Sequence, residues 1–428
     1  MRFNQYSLSP EVKSNLEGLE FKRPTDIQFK AIPPIMKGED VLAIAQTGTG
    51  KTAAFAIPII DKLHRNKKTK ASEGIKAVVM VPTRELAIQI TEVFQEIGKN
   101  TKVTSFCVFG GVEQGPQIAK LQEGIDILIT TPGRMFDLVH QGYIYLRDVE
   151  TLILDEADHM LDLGFIKDIE DLIKYLPKNR QTLFFSATIS PRIKKLAYSL
   201  VTRAIRIQIS PKDPVAKNVN HSVGFIKMDD KRFFLERFIK DNEDSKILVF
   251  VRTKVRAERV FKAMQRVNIN TLTIHGDKEQ EDRLIALKDF KLGKVKVLIA
   301  TDVSARGIDI PNVDYVVNYD LPDVDENYVH RVGRTGRGVQ KGVAISFCSE
   351  EEKLMLNEIE EYLGQKIVEM EISKDDYSTT IDFSEDYSKS LKELMEEAES
   401  FEIDAKKAKA KKIKKKQKKP TKYFVKLE

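Results

Sequence analysis

Ala45-Gln46-Thr47-Gly48-Thr49-Gly50-Lys51-Thr52 follows the apolar run Val41 to Ala45 and precedes the helix-compatible run Ala53-Ala54-Phe55-Ala56-Ile57. Strand, glycine-bearing loop, Gly-Lys-Thr and helix, in that order, is the context a phosphate-binding loop needs. The glycines let backbone N–H groups turn inward around phosphate oxygens, and the helix N-terminus adds the positive end of its dipole. Lys51 has the length to reach β- and γ-phosphates, and the Thr52 hydroxyl can ligate Mg²⁺. Ala45 stands where the generic pattern has its first Gly.

Working outward from this loop, short apolar runs recur at Ala77–Val81, Val103–Phe109, Ile125–Thr130, Thr151–Leu154 and Thr182–Phe185, with helical stretches between most of them. Buried strands alternating with helices predict an α/β fold, a parallel sheet covered on both faces. Residues 210–220, with two prolines among polar neighbours, break the pattern and read as a linker. The beat resumes at Lys246–Val251, Thr271–Ile274, Val295–Ala300, Val313–Asn318 and Val343–Phe347, without a second Gly-x-x-x-x-Gly-Lys-Thr. The expected division is a phosphate-holding domain over 1–209, a linker over 210–220 and a second α/β domain over 221–370. An acidic extension over 371–405 and a lysine-rich tail over 406–428 follow. Upstream of the loop, Pro24-Thr25 reads as a helix start, and Gln28 on its first turn carries the acceptor and donors that suit an adenine edge.

The 428 residues, 42% of them hydrophobic, suffice for two full cores. Two cysteines, Cys107 and Cys348, form neither a disulfide framework nor a zinc site, which fits a reducing, cytoplasmic setting. No N-terminal apolar h-region and no apolar run near the roughly 18 residues that span a bilayer is present, so neither secretion nor membrane insertion is expected. Residues 350–404 hold 19 acidic residues against 5 lysines, whereas 406–428 hold 12 lysines against one Glu. The lysine run is too charged to build a core and is expected to be disordered. A basic body and tail in a chain of net charge +6 suggest a polyanionic partner.

Asp155-Glu156-Ala157-Asp158 follows directly on Leu152-Ile153-Leu154. Ligands of open parallel sheets bind beyond the carboxyl ends of the strands, so this acidic cluster and the phosphate loop belong to one site. Asp155 suits Mg²⁺, directly or through water, and Glu156 suits the orientation and deprotonation of an attacking water. Further polar clusters close other strands: Pro82-Thr83-Arg84-Glu85-Leu86, Gly110-Gly111, Thr131-Pro132-Gly133-Arg134 and Ser186-Ala187-Thr188. In the second unit they are Arg252-Thr253, His275-Gly276, Thr301-Asp302 and His330 to Arg337. Gly, Thr and Arg suit a nucleic-acid backbone, through N–H groups, hydroxyls and bidentate guanidinium contacts. Arg334 and Arg337, brought from the second unit, would neutralise charge on a γ-phosphate held by the first.

Taken in order, Phe21 to Gln28, Ala45 to Thr52, Pro82 to Ala87, Thr131 to Arg134, Asp155 to Asp158, Ser186 to Thr188, Thr301 to Asp309 and His330 to Arg337 resemble the motif set of DEAD-box RNA helicases. The resemblance spans roughly residues 3 to 368, and the short N-terminus and lysine tail look most like bacterial members of the RhlE type. It implies two tandem RecA-like domains, ATP and Mg²⁺ as cofactors, and RNA-stimulated hydrolysis coupled to local duplex unwinding and ribonucleoprotein remodelling. It further implies that Gln28 reads adenine with Phe3 and Phe21 beside it. Gln46, Thr47, Gly48, Thr49 and Gly50 complete the phosphate cradle, and Asp309 meets the ribose. Ser186 and Thr188 couple hydrolysis to strand separation, and His330 links the domains. Gln280 and Arg283 match a further family pattern after His275-Gly276. Departures are Glu20 for the usual Gly before Phe21, Asp26 for a common Pro or Glu, and Ser304 for a common Ala. Protein partners are expected through the C-terminal extension. The competing expectation is an ATP-gated RNA clamp or RNA chaperone.

Overall fold

The computed structural model of the chain describes residues 2–46, 48–209, 219–305, 313–336 and 341–384. The expectations for Thr47, Asp309, Arg337, linker residues 210–218, the extension beyond Ser384 and the lysine tail therefore lie outside the described residues.

The first lobe is a seven-stranded sheet: β1 (Val41–Ala45), β2 (Ala77–Met80), β3 (Ser105–Val108), β4 (Ile127–Thr130), β5 (Thr151–Leu154), β6 (Gln181–Ser186) and β7 (Ile205–Ile209). The second is another: β8 (Val219–Phe225), β9 (Ile247–Val251), β10 (Thr271–Ile274), β11 (Val297–Thr301), β12 (Tyr315–Asn318), β13 (Gly342–Cys348) and β14 (Val368–Glu369). Strand order is β3-β4-β2-β5-β6-β1-β7 in one and β10-β11-β9-β12-β13-β8-β14 in the other, the same permutation twice. Every pairing is parallel. The second lobe repeats the first strand for strand, an equivalence that alternation alone left open.

Continuous apolar strands such as Val-Leu-Ala-Ile-Ala at β1 are buried throughout, because crossover helices cover both faces of a parallel sheet. Each sheet has two apolar layers. In the first lobe Ile32, Phe55, Phe94 and Phe185 fill one and Leu128, Leu152, Met160 and Phe184 the other.

Three elements differ from the sequence expectation. β7, Ile-Arg-Ile-Gln-Ile, is an edge strand with only Ile207 buried, so it offers alternation rather than an apolar run. β8 begins at Val219, so Val219 and Asn220 belong to the second sheet and not to a linker. Pro24 lies outside its helix, which runs Asp26–Met36 with Thr25 as N-cap and a reciprocal capping pair to Gln28. Within the acidic extension, the helix Lys374–Asp382 packs on the helix Lys231–Asp241. Tyr377 meets Phe234 at 4.9 Å between ring centroids and donates to Asp230 Oδ2 at 2.8 Å.

Candidate active site and nucleic-acid interface

The carboxyl edge of the first sheet divides into two halves. β5, β6 and β1 are neighbours and end at Asp155, Ser186 and the phosphate loop; β3, β4 and β2 are neighbours and end at Gly110, Thr131 and Pro82. Candidate nucleotide residues share one half and candidate backbone-binding residues the other.

In the nucleotide half, Gly48 and Gly50 have φ of 79° and 90°, the left-handed region that favours glycine. A Cβ on Gly50 would lie 2.5 Å from Gln28 Nε2, so the loop and the Gln28 helix need the missing side chain. Gln28 accepts from Thr25 N at 2.9 Å and donates to Gly50 O at 3.1 Å, which ties the adenine candidate to the loop. Thr49 Oγ1 donates to Gln46 O at 2.7 Å. Lys51 opens the helix Lys51–Asn66, followed by Thr52 on its first turn. The Lys51 ammonium is buried without a hydrogen-bond partner. A buried, unsatisfied cation at a helix N-terminus fits a polyphosphate that supplies the missing acceptors. Phe3 is buried against the edge of Phe21 (5.7 Å between centroids), and a 570 Å³ cavity opens beside both rings.

Glu156 lies in the left-handed region at φ 53° and caps the helix Ala157–Asp162. Such strain in a non-glycine residue persists where surroundings over-determine it. Glu156 N donates to Asp155 Oδ1 at 3.0 Å, and His159 Nδ1 lies 3.5 Å from Glu156 Oε2. Asp158 Oδ2 accepts from Ala187 N, Thr188 N and Thr188 Oγ1 at 3.0, 2.9 and 3.2 Å. These bonds tie the acidic cluster to the Ser186-Ala187-Thr188 turn. Burial pushes the Asp155 carboxyl up, with Lys51 pulling the other way. Burial would raise Glu156 too, but His159, Lys51 and Arg334 together hold it below the ordinary carboxylate range. Asp155 is therefore a carboxyl short of positive charge. Together with the hydroxyl-bearing Thr52 it fits a hydrated divalent cation, and among the described residues no group of three or more His, Cys, Asp or Glu could hold a metal by itself.

In the other half, Thr83 caps the helix Arg84–Gly98, accepting from Leu86 N at 3.3 Å. Arg84 packs against Gly111, where a Cβ would come within 2.1 Å of Nη1, and a Cβ on Gly110 would lie 3.7 Å from its Nη2. Thr131 and Pro132 start the helix Pro132–His140, with Gly133 next. Arg134 Nη2 donates to Val112 O at 2.8 Å while its Nη1 is buried without a partner. Burial and the nearby Arg84 both lower the Arg134 pKa. Asp137 offsets part of this, and two guanidiniums held close, one with a buried unpartnered nitrogen, suit a phosphate backbone.

The second lobe repeats this layout. Thr253 caps the helix Lys254–Arg266, accepting from Arg256 N at 3.1 Å, and Arg252 precedes it. Gly276 faces open space, and Thr301 Oγ1 lies 3.4 Å from Ser304 Oγ. Asp302, expected to face a nucleic acid, is already occupied: Arg331 Nε and Nη2 grip its two oxygens at 2.6 and 2.7 Å. His330 is half-buried at the end of the helix Asp325–Val332. Lys231 opens its helix as Lys51 does, at the equivalent place after β8. Its ammonium is engaged by Glu352 and by Tyr319 O, at 2.7 Å from the latter, and both charged side chains are fully buried. The second lobe therefore presents no free cation where the first presents Lys51.

Across the cleft, Gln280 Nε2 donates to Glu85 Oε1 at 2.8 Å, Arg283 Nη2 lies 3.0 Å from the same oxygen, and Arg84 Nη1 donates to Gln280 Oε1 at 3.2 Å. Arg334 is buried and close enough for its charge to act on Glu156. Sequence reasoning placed Glu85 and Arg331 inside polar clusters without a role of their own and missed His159. Only adjacency to Arg84, Asp158 and His330 could have signalled them.

Fold and site define a class: a two-lobed P-loop protein whose candidate nucleotide and backbone-binding residues share one carboxyl edge that faces a second RecA-like lobe. Residues 25–196 match the DEAD/DEAH box helicase family and residues 230–339 the helicase conserved C-terminal domain. The chain belongs to the DEAD-box helicase family. It is 38% identical over 370 residues to the DEAD-box ATP-dependent RNA helicase CshA of Bacillus subtilis, covering 86% of this chain and 74% of that one. It is 40% identical over 379 residues to the ATP-dependent RNA helicase RhlB of Shewanella frigidimarina, covering 87% of each. Among solved structures, Saccharomyces cerevisiae Dbp5 bound to RNA and ADP BeF3 matches with a TM-score of 0.78 at 31% identity, over 89% of this chain and 99% of that one.

Proposed function

We infer that the chain is an ATP-dependent RNA helicase: an RNA-stimulated ATPase that opens short stretches of duplex by closing two lobes on one strand. The observation that carries this reading is the seam. Glu85, beside the candidate RNA residue Arg84, meets Gln280 and Arg283, while Arg334 from the same second lobe acts on Glu156. One closure thus joins the RNA half of the site to the hydrolytic half. The likeness to an RNA-and-nucleotide-bound relative supports this arrangement as the closed one.

Lys51 holds the β- and γ-phosphates, its unpartnered ammonium being the support. Gln28 and Phe21 hold the adenine, with Phe3 behind them. Thr52 and Asp155 would hold Mg²⁺, which when bound supplies positive charge to the phosphate oxygens. Glu156 orients water and takes its proton, and Arg334 counters charge as it develops. Asp158 passes the state of this cluster to Ala187 and Thr188. Arg84, Gly111, Arg134, Arg252, Thr253, Gly276 and Thr301 grip RNA through its backbone, so little sequence preference follows. No helix among the described residues is long and apolar enough to cross a membrane; we propose a cytoplasmic setting, with protein partners reached through the C-terminal extension.

Glu156→Gln should leave ATP binding intact and trap an RNA-bound closed state with turnover lost. Equal loss of ATP binding would contradict the water-activating role. Duplex displacement driven by ATP, compared with a non-hydrolysable analogue, separates a helicase that recycles from an ATP-gated clamp that only binds.

A further inference from the structure

On the second lobe the candidate RNA residues Gly276, Thr301 and Arg252 follow β10, β11 and β9, three consecutive strands. The next strand along that edge is β12, and a 430 Å³ cavity lies where β9 and β12 end. Its lining includes Arg252, Thr253, Arg256, Arg259, Asp320 and Asp323. Arg256 and Arg259 sit three apart on one helix face, and Arg252 lies just before that helix starts.

The cluster is built around a buried carboxylate. Asp320 accepts from Arg252 N at 3.1 Å and from Arg256 Nε at 3.2 Å, which fixes the turn and one guanidinium together. The Arg256 guanidinium also lies 5.6 Å over the Tyr319 ring. Both Asp320 oxygens are thereby engaged, one by Arg252 N and the other by Arg256. Arg252 Nη1 lies 3.4 Å from the exposed Asp323, a surface pair of little net strength that a better anion can replace, while its Nη2 lies 3.5 Å from the buried Glu352, which holds the other side of the guanidinium. Arg259 is exposed and makes no ion pair among the described residues. Where the first lobe's equivalent region takes triphosphate, the second has Lys231 closed off by Glu352, so only the arginine rim remains open to anions.

We propose that Arg256 and Arg259, beside Arg252 of the RNA path already described, form a further phosphate subsite that takes the backbone of an RNA strand running past the end of β9. The proposal rests on the RNA reading above and extends the strand's path by the width of one β-strand position. The Arg256 guanidinium, fixed by Asp320, gives it geometric preference for phosphate over a diffuse basic surface.

The test measures binding, in the presence of a non-hydrolysable ATP analogue, of a short single-stranded RNA and of the same RNA lengthened at its 5′ or its 3′ end. The unaltered protein should bind one lengthened RNA more tightly than the short one. Arg259→Gln should remove roughly fivefold of that gain, about one charge-assisted surface contact, and flatten the salt dependence by about 0.7 in log–log slope. Arg259→Glu should remove more. ATPase stimulated by the short RNA should be unchanged in both variants, which reports that they are folded, and Lys291→Gln, an equal charge loss elsewhere on the lobe, should keep the full gain. A gain that survives Arg259→Glu, or no gain from either extension in the unaltered protein, overturns the subsite while leaving the RNA reading standing. An ATPase indifferent to every RNA would instead overturn that reading, and the subsite with it.

Discussion

Glu20 stands where the family it resembles has Gly, and its backbone shows why Gly is usual there. The helix Pro10–Gly18 ends with Phe21 N bonding Leu16 O and Glu20 N bonding Glu17 O, a cap that sends Glu20 to φ 58°. A side chain in that region costs energy that glycine avoids, partly offset by glycine's freer unfolded chain. Glu20→Gly should therefore stabilise the first lobe by about 0.5–1 kcal/mol, read as a higher urea midpoint; an unchanged or lower midpoint would mean the cap is relaxed already. Glu258 tests charge in the same way. Burial pushes its carboxyl up, but hydrogen bonds from His275 at 2.7 Å and Lys278 at 2.8 Å bring it down to about 2. A carboxyl lowered from 4.5 contributes stability that is complete above that value and fades as pH falls from there towards 2. The stability difference between the unaltered protein and Glu258→Gln should accordingly be largest at neutral pH and shrink through pH 4. Parallel denaturation curves from pH 7 to 3 check this, and a gap that ignores pH would rule it out.

Elements hold the site in place from its far side. Asp40, just before β1, accepts from Thr182 N at 2.7 Å and Thr202 N at 2.6 Å, while Ile205 N donates to Asp40 O at 2.8 Å. The Asp40 carboxylate thus pins β6 and the turn before β7, and its carbonyl the start of β7, to the strand that carries the phosphate loop. Asp40→Ala strands two backbone donors and should cost about 2 kcal/mol in stability, with ATP affinity nearly unchanged below the transition because the site lies at the opposite edge. Loss of ATP binding in the still-folded protein would show that the pin shapes the loop as well. The same elements mark the limits of sequence reading. Eleven strands were legible because each is a short apolar run closed by polar residues. β7 hid because an edge strand alternates Ile with Arg and Gln. β8 hid because Val-Asn-His-Ser-Val-Gly-Phe has no continuous apolar run and follows two prolines, and β14 is two residues long. Contiguous site motifs were legible for a related reason: a loop that cradles phosphate needs its chemistry at fixed offsets. Partners that meet only after folding, such as Glu85 with Gln280 and Asp302 with Arg331, leave no local periodicity to read.

Across the whole molecule, the same strand permutation used twice yields two different edges. The first keeps a bare lysine for phosphate; the second neutralises its counterpart with Glu352 and contributes arginines instead. Neither edge is a complete enzyme, so catalysis depends on how firmly the lobes meet. The Glu85–Gln280–Arg283 contact sits at that meeting and touches neither of the carboxylates nor the lysine of the nucleotide half. If RNA favours closure, and closure favours ATP, the two ligands must help each other to the same degree. Gln280→Ala should weaken that mutual help by about fivefold to tenfold, within the usual range for coupling between sites. The affinity for ATP measured without RNA should stay as it was, since Lys51, Thr52 and Gln28 all belong to the first lobe. Titrating ATP with and without saturating RNA gives the ratio directly. A ratio equal to that of the unaltered protein would mean that the seam is a passive contact and that closure is held by the ligands alone.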